Sequence, residues 1–557
     1  MRKIYALMAA AIMSIALMSS SSAQQLNLGG VAFNNDLVGW GDIYNLSFTT
    51  HNYGTARSMA MGNAFTALGA DLASASINPA GIGMYVNGDV SITPMMQFNN
   101  SPTKGADYNN SPAFSDESNR FGLASAGAVF VASESTGALT NFNIGVVYNR
   151  IADFNQNSKF ASLGRPSYES MANLFCEQSN LDGLITDSYG RMDFGSDPYY
   201  WGAVLAYKNG LTNKDDMGWY IDRIGENALI DQYTALETRG SIGEYAITMG
   251  FNFVDKFYLG ATLGIQSVNY KRNVYYGENY IYENNQYPSG EDMPYQLTYM
   301  NYQQTTRLSG TGLNLKLGVT WRPFNWMRVG VAYHTPTFYS LSLRYEAAMW
   351  SETYSAGRNP EGYDVGINGY FEDYVESPLC EDKGDNSWNY RSPSRLMVGA
   401  AFTIAQRFII SADYERSWYD SMRLMSSPVW GLGDYKSVMK ENFRGANTVR
   451  VGAELRLLPF IDLRAGYIYS DGGLRNNNLI YTHPLTTSES YITGGIGFKF
   501  NNTVYLDLAY QYNSVERTAY QSFYATDINN QASNIESLPV TTSSFRHLAM
   551  LTLGVRF

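Results

Sequence analysis

Histidine is the side chain that most often acts as the general base of a hydrolytic enzyme, and this chain of 557 residues has four of them. They are His51, His334, His483 and His547, and no spacing in the sequence joins any of them to a serine and an acid. Phosphate-binding loops, dinucleotide motifs and the Cys and His spacings of metal sites are absent as well. The sequence therefore predicts neither an enzyme nor a bound cofactor or metal.

Arginine is the second residue type that could do chemistry here, because its guanidinium binds carboxylates by bidentate contact. Four arginines fall on the polar side of alternating segments: Arg395, Arg450, Arg456 and Arg464. Acids share that side, among them Glu454, Asp462 and Asp507. Two interpretations stay open. These charges pair across neighbouring strands, or one or two of the arginines stay unpaired and receive the carboxylate of a ligand.

A third candidate is the stretch 346–390, which has ten acids against Arg358 and Lys383. Oxygen-rich loops bind calcium, but the ordered spacing of an EF-hand is missing. Solvated surface charge is the alternative, and we favour it.

These polar groups must be positioned by segments in which every second side chain is apolar, a period of two that is typical of β-strands. One apolar set is Leu313, Leu315, Leu317, Val319 and Trp321. Fourteen such segments lie near 89–98, 121–132, 141–154, 237–254, 257–273, 304–322, 326–345, 393–405, 408–420, 441–458, 461–471, 490–500, 503–514 and 543–557.

The connectors between these segments alternate in length. Tight joints such as Val254-Asp255-Lys256 and Asn501-Asn502 alternate with long polar stretches, which are 155–236, 274–303, 346–392 and 421–440. An even strand number, short turns at one rim and long loops at the other are typical of outer-membrane barrels. A sheet crosses lipid only when it closes on itself, since lipid cannot satisfy an unpaired backbone group. A soluble β-sandwich is the alternative, but it has shorter strands and no such asymmetry.

Composition narrows the class further. Hydrophobic residues make up 45% of the chain and charged residues 16%, which indicates a folded body rather than a disordered one. The net charge of −11 argues against nucleic acid as a partner. Beyond the first twenty residues there is no apolar stretch of the roughly 18 to 20 residues that a membrane helix needs.

The N-terminus resembles a secretory signal: Arg2 and Lys3 precede an apolar stretch, and Ser21, Ser22 and Ala23 form a cleavage site. We expect residues 1–23 to be removed. The two cysteines, Cys176 and Cys380, would then lie in an exported protein, where they form a disulfide or remain two free thiols.

Residues 54–71, followed by Asn78-Pro79-Ala80-Gly81, resemble the N-terminal hatch of the outer-membrane long-chain fatty-acid transporter family, also called FadL/TodX or OMPP1. The order and spacing of the barrel segments continue the resemblance, through residues 310–318, 321–323, 328–333, 393–399, 449–456, 463–467 and 506–510 to the terminal Phe557.

The resemblance implies an all-β fold, a 14-stranded antiparallel transmembrane barrel over residues 89–557 with a hatch over residues 24–88 inside its lumen. Asn78, Pro79 and Ala80 would belong to the hatch. By their sequence alone these residues also fit a plain turn, because proline disfavours a helical residue before it. Residues 56–68 could form a short helix.

The family's function would make this protein a passive uptake channel in the cell outer membrane for hydrophobic small molecules such as long-chain fatty acids. Ligands would be captured at the outer loops and released past the hatch, or laterally into the bilayer at a kink in the third strand. Gly145 lies in that strand and is a candidate gate, since glycine often marks a bulge. Glycine recurs in most other strands as well.

The expected partners are a hydrophobic ligand and outer-membrane lipid, and we expect a monomer. Fatty acids, aromatic hydrocarbons, steroids and porphyrins all remain open as ligands. Two other functions remain as alternatives. The same fold could serve protein secretion or surface docking, or the barrel could be an outer-membrane hydrolase.

Overall fold

The computed structural model of the chain describes residues 31–33, 45–48, 53–105, 113–132, 137–180, 200–224, 228–282, 296–358, 364–376, 387–426, 435–475, 480–481, 485–525 and 535–557. The predicted signal segment, His51, His483 and Cys380 lie outside these residues.

Most described residues lie in β-strands. In chain order they are β1 Val31–Phe33, β2 Asp89–Gly105, β3 Phe114–Ala132, β4 Leu139–Asp153, β5 Gln156–Pro166, β6 Thr212–Lys214, β7 Tyr220–Asp222, β8 Leu229–Phe253, β9 Phe257–Ile281, β10 Gln296–Phe324, β11 Met327–His334, β12 Phe338–Arg358, β13 Asp364–Glu376, β14 Ser387–Arg391, β15 Arg395–Ile404, β16 Phe408–Trp418, β17 Arg423–Ser426, β18 Gly445–Leu458, β19 Ile461–Asp471, β20 Ile480–Tyr481, β21 Thr486–Lys499, β22 Val504–Tyr520, β23 Phe523–Ala525, β24 Ile535–Glu536 and β25 Val540–Arg556.

All of these strands except β1, β6, β7, β23 and β24 belong to one closed barrel with fourteen antiparallel strands in its wall, as the sequence predicts. β1, β23 and β24 form a separate three-stranded sheet, and β6 pairs with β7. Four wall strands are interrupted along their length. Their segments are β4 with β5, β11 with β12, β14 with β15, and β16 with β17. The first wall strand, β2, pairs with the last, β25, which closes the barrel.

The exterior of the barrel is apolar where it crosses the membrane. On β10, Leu313 to Trp321 at alternate positions expose between 41% and 52% of their surface, while Lys316 and Thr320 between them are buried. A water-soluble sheet would bury the apolar set instead, so this arrangement requires hydrocarbon outside. The protein is therefore an outer-membrane barrel, and the sandwich alternative is wrong.

Several strands are much longer than the sequence predicts. β8 and β9 have 25 residues and β10 has 29, whereas a strand needs only about 9–11 residues to cross a bilayer. The extra residues lie on the side of the long connectors, so parts of the predicted loops 274–303 and 346–392 are strands, including β13. The prediction ended too early because the outward face turns polar there, which removes the alternation.

Helices are few and short. Among the described residues, 45–47 are helical, the longer helices are α1 Ala56–Ala60, α2 Met171–Ser179, α3 Trp201–Lys208 and α4 Tyr435–Asn442, and the 3₁₀ helices are Leu72–Ala75, Pro79–Met84, Ser167–Glu169 and Tyr419–Ser421. In the described part of the chain, no helix has the length and apolar character of a membrane span. The helix predicted over residues 56–68 is confined to α1, because Gly62 and Asn63 adopt positive φ.

Candidate functional site

The lumen holds a segment of the chain, residues 53–88, which we call the lumenal segment. Most of its residues are buried, and it includes α1 and the two 3₁₀ helices that precede β2. Thr55 caps α1, and its hydroxyl also donates to Asp71 at 2.8 Å. This hydrogen bond joins the start of α1 to the start of the first 3₁₀ helix. Ala56 N donates to Thr552 in the wall at 2.8 Å.

Inward-facing glycines let the backbone of the lumenal segment approach the wall. A side chain at Gly260 would collide with Pro79, one at Gly318 with Asn78, and one at Gly330 with Thr66. Other wall glycines make the same kind of approach: Gly250 to Gly83, Gly452 to Met61, and Gly466 to Gly62. These six wall glycines therefore make room for the backbone of the lumenal segment.

Pro79 and Ala80 begin the second 3₁₀ helix, and Asn78 is its extended N-terminal cap, which is the non-helical conformation expected before proline. The Oδ1 atom of Asn78 accepts from Ala80 N at 3.1 Å, and Pro79 occupies the first helical position. The Nδ2 atom of Asn78 donates to Thr66 O at 2.5 Å and to Thr320 Oγ1 at 3.2 Å. Asn78 thus joins two parts of the lumenal segment to β10.

The inner half of the lumen, near the short turns, is a network of charges. Arg464 contacts Glu454 at 2.6 Å and Asp507 at 2.5 Å, and Arg57 of the lumenal segment contacts Glu454 at 3.1 Å. Asp462 accepts from Lys499 at 2.6 Å. A polar cavity opens between this network and the lumenal segment.

All four arginines predicted as ligand contacts have acidic partners. Arg450 and Arg395 contact Glu415 at 2.7 Å and 3.7 Å. Arg456 contacts Asp462 at 3.5 Å, and Arg464 belongs to the network above. This is the first of the two arrangements considered from the sequence.

Another buried ion pair joins Glu244 of β8 to Lys316 of β10. Ser76 of the lumenal segment donates to Glu244 at 2.8 Å, so the segment is held by the wall from this side too. The Nε2 atom of His334 lies 2.9 Å from Ile77 O, so this histidine contacts the backbone of the lumenal segment. The sequence analysis did not predict the Glu244–Lys316 pair. The alternation along β8 and β10 could have indicated it, because both residues fall at positions that face the lumen.

The third wall strand is broken where it nears the outer rim. β4 pairs with β3 only from Phe142↔Ala132 to Asn149↔Ser125, and its register with β8 shifts between Arg150 and Ala152. β5 then pairs with β8 alone. In the described residues no backbone ladder joins β5 to the outer part of β3, Phe114 to Ala124.

Side chains span that break instead. Lys159 of β5 contacts Asp116 of β3 at 3.3 Å, and Arg150 Nε donates to Leu123 O at 3.1 Å. Thr103 of β2 donates to Lys159 O at 2.5 Å, so β5 lies inward of its expected place in the wall.

The predicted gate residue, Gly145, is not at the break. It is paired regularly with Val129 and Thr248, and the break begins beyond Asn149.

A cavity lies on the lumenal side of the break and encloses about 890 Å³, including its open mouth. Its apolar wall includes Phe154, Leu236 and Val274. Three arginines and two acids also line it, which are Arg272, Arg517, Arg546, Asp153 and Glu489. The Nε atom of Arg546 is buried and has no hydrogen-bond partner in the part of the chain that the structure describes.

The outer end of the lumen is closed by α2 and α3. Trp201, Phe175 and Leu205 are buried against inward-facing tyrosines of the long strands. The rings of Phe175 and Tyr302 meet edge to face at 5.5 Å, and those of Trp201 and Tyr345 lie 5.5 Å apart. Ser170 caps α2, and Glu278 of β9 accepts from Met171 N at 2.8 Å. We call these two helices the outer cap.

Catalytic and metal-binding arrangements do not emerge from the described residues. His547 lies on the lipid-facing side, with Nδ1 2.7 Å from Tyr510 Oη. No group of three His, Cys, Asp or Glu side chains is placed to hold a metal ion in that part of the chain. Cys176 is a free, buried thiol in α2.

Comparison with known structures finds barrels of similar extent. The Pseudomonas putida toluene transporter TodX is 12% identical, with 92% of this chain and 99% of that chain covered and a TM-score of 0.45. A Pseudomonas aeruginosa FadL homologue is 12% identical, with 92% and 100% covered and a TM-score of 0.48. The CymD monoaromatic hydrocarbon channel is 12% identical, with 90% and 97% covered and a TM-score of 0.43.

No curated protein sequence matches this chain. Residues 226–557, more than half of the chain, match the family described as outer membrane protein transport protein (OMPP1/FadL/TodX). That match covers the wall from β8 to β25, which carries the Glu244–Lys316 pair and the wall residues of the inner charge network. The chain is therefore a member of the OMPP1/FadL/TodX family of outer-membrane transport proteins.

Proposed function

We propose that the protein is a passive channel that takes hydrophobic small molecules from the cell exterior and releases them sideways into the bilayer. The observation that carries the proposal is the break in the wall between β3 and β5, with a partly apolar cavity directly behind it. A ligand in that cavity has only side-chain contacts between itself and lipid.

The driving force is partition. Burying apolar surface stabilises by roughly 25 cal/mol per Å², so a hydrophobic ligand leaves water for the cavity and then leaves the cavity for hydrocarbon without an energy source. The inner half of the lumen offers no comparable route, since its charge network and lumenal segment would have to be desolvated or moved. The chemistry of the two halves thus favours lateral release.

The cavity's charges favour an amphiphile with an anionic head. Three arginines face two acids there, and the buried Nε of Arg546 is aimed at no described acceptor. A long-chain fatty acid combines a carboxylate for this end with a chain for the apolar wall. We expect Arg546→Met to reduce oleate uptake about tenfold, as loss of one charged hydrogen bond implies, and to leave toluene uptake unchanged.

Locking the break tests the lateral route. Cysteines at Asp116 and Lys159, in a chain with Cys176→Ser and Cys380→Ser, would join β3 to β5 across the gap on oxidation. Oleate uptake by cells that have no other fatty-acid channel should fall on oxidation and return on reduction. Cysteines at Asn100 and Ser115 form the matched control, because those side chains already bond at 2.7 Å across the paired strands β2 and β3.

Uptake that is equal in the oxidised and reduced forms of the locked variant would refute lateral release.

The lumenal segment has a separate test. We propose that residues 24–88 act as the hatch, with Asn78, Pro79 and Ala80 as its attachment to β9 and β10. Deleting these three residues should alter oleate uptake while the barrel remains folded, and unchanged uptake would count against a hatch.

A further inference from the structure

The outer face of the barrel has a row of four cations, one on each of four neighbouring wall strands. Arg239 of β8 is directly opposite Lys271 of β9, Lys271 is opposite Arg307 of β10, and Arg307 is opposite Arg344 of β12. We call this set the basic row. Neighbouring strands are about 4.8 Å apart, so the row extends over roughly 14 Å.

The position of the basic row relative to the membrane follows from the register. The last apolar row facing outward is Tyr245, Ile265, Leu313 and Phe338, and each of these is exposed. The basic row lies six residues further along the strands, toward the long loops. With about 3.3 Å per residue and a tilt near 40°, the cations stand about 15 Å above that apolar row, on the exterior side.

Two rows of small side chains, nearly all of them polar, separate the apolar surface from the cations. They are Gly243, Ser267, Thr311 and Ser340, and then Ser241, Asn269, Ser309 and Ser342. The hydroxyl and amide groups of these rows suit sugar rings, which are too polar for the apolar surface below and carry no charge for the row above. The face therefore changes from apolar to hydroxyl-rich to cationic with distance from the membrane centre.

Among the described side chains, two acids contact the basic row. Glu237 contacts Arg239 at 2.5 Å, and Glu346 contacts Arg344 at 3.1 Å and Arg307 at 3.4 Å. Lys271 makes no ion pair with any side chain that the structure describes. Like charges directly opposite one another destabilise a sheet, so an anion bound along four aligned cations would stabilise this face.

We propose that the basic row binds the phosphate groups of a phosphorylated glycolipid in the outer leaflet. The acyl chains of that lipid would lie on the apolar rows, its sugars on the hydroxyl rows, and its phosphates on the cations. Guanidinium groups match the geometry of phosphate oxygens, and clustered Lys and Arg at a membrane surface are a recognised mode of anionic-lipid binding. This site is on the outside of the wall and is independent of the uptake route.

The test is a titration of the purified full-length protein in neutral detergent with fluorescent rough lipopolysaccharide. The variant with Lys271→Ser, Arg307→Ser and Arg344→Ser should bind it roughly a hundredfold more weakly, since each basic residue contributes about a factor of five. The charge-keeping variant with Lys271→Arg, Arg307→Lys and Arg344→Lys should retain most of the affinity. Lys214→Ser, in the exposed strand β6, should change nothing.

Dephosphorylated lipopolysaccharide should bind the wild-type protein as weakly as phosphorylated lipopolysaccharide binds the triple serine variant. Equal binding of the wild-type protein and the triple serine variant, at equal thermal stability, would overturn the proposal. Displacement of the lipid by millimolar inorganic phosphate would also overturn it, because the row would then be a site for free phosphate rather than for a lipid. The sites of these substitutions are exposed or half-buried on the outer face, so the variants are expected to fold.

Discussion

The two ends of the lumen are built from different interactions. At the outer end, α2 and α3 bury Trp201, Phe175 and Leu205 against tyrosines of the long strands, so apolar and aromatic packing closes the barrel. At the inner end, the lumenal segment meets the wall through glycines and through charges such as Arg57 on Glu454.

This difference matters for transport. An apolar closure admits an apolar ligand at little cost, because the ligand replaces contacts of the same kind. A charged closure excludes it, because paired charges lose their partners or their water. The contrast predicts that the outer end should respond to changes in side-chain volume and the inner end to changes in charge and salt.

The largest expected effect is at the boundary between the two ends, in the Glu244–Lys316 pair. Lys316→Met leaves the Glu244 carboxylate buried without its cation, and we expect a loss of about 4 kcal/mol in the free energy of unfolding. Urea unfolding in lipid vesicles, followed by tryptophan fluorescence, measures it. Adding Glu244→Gln should recover most of the loss, and a double variant as unstable as Lys316→Met would show that charge is not what matters there.

Trp201→Ala tests the apolar closure. Removing this buried side chain from α3 should destabilise the outer cap by about 3 kcal/mol, with the same loss at low and high salt. Hydrogen exchange of residues 171–179 and 201–208 reports on the outer cap alone. Trp219, which is 58% exposed in the same region, provides the control, since Trp219→Ala should have almost no effect. A strongly salt-dependent loss for Trp201→Ala would break the comparison.

Arg57→Met tests the charged closure. The variant loses the 3.1 Å contact to Glu454 and a 3.4 Å hydrogen bond to Ala70 O, and about 1 to 2 kcal/mol should be lost. Because part of the Arg57 side chain is exposed, the loss should shrink in 1 M salt, where screening is strong. Protease sensitivity of the lumenal segment measures it. Arg57→Lys, which retains the charge, should lose less than Arg57→Met.

The smallest effect concerns Cys176 and does not change stability. Burial within α2 raises the pKa of its thiol above the usual range, so little thiolate forms near neutral pH. In a Cys380→Ser background, iodoacetamide should label Cys176 far more slowly than it labels a free cysteine. Adding Trp201→Ala should speed the labelling, whereas adding Arg57→Met should not. Equal acceleration by both would mean that the two ends open together.

The wall of the barrel was largely predictable. Alternation along β10, β18 and β22 follows from a period of two against lipid, and it is visible in each strand separately. The helices of the outer cap were not predicted, because α3 is apolar on all sides and has no helical periodicity. Nor were the upper parts of β8 to β10, where both faces carry polar side chains and the alternation disappears.

For the candidate site, the sequence indicated Asn78-Pro79-Ala80 but not what these residues contact. It put Arg450 and Arg464 on the inner face but did not say which acids pair with them. The break in the third strand was implied by resemblance alone, and the residue singled out for it, Gly145, lies in a regular part of the ladder. A bulge depends on two neighbouring strands, so one strand's sequence does not locate it.

The sequence by itself determined which side chains face lipid, how many strands form the wall, and that the turns are short at one end of the barrel. Each of these follows from the alternation within single segments and the lengths of the connectors between them. Only the tertiary structure decided which charges pair, which glycines meet the lumenal segment, and that four cations from four strands lie side by side. Those facts depend on register between strands, and register is set by the closure of the whole barrel.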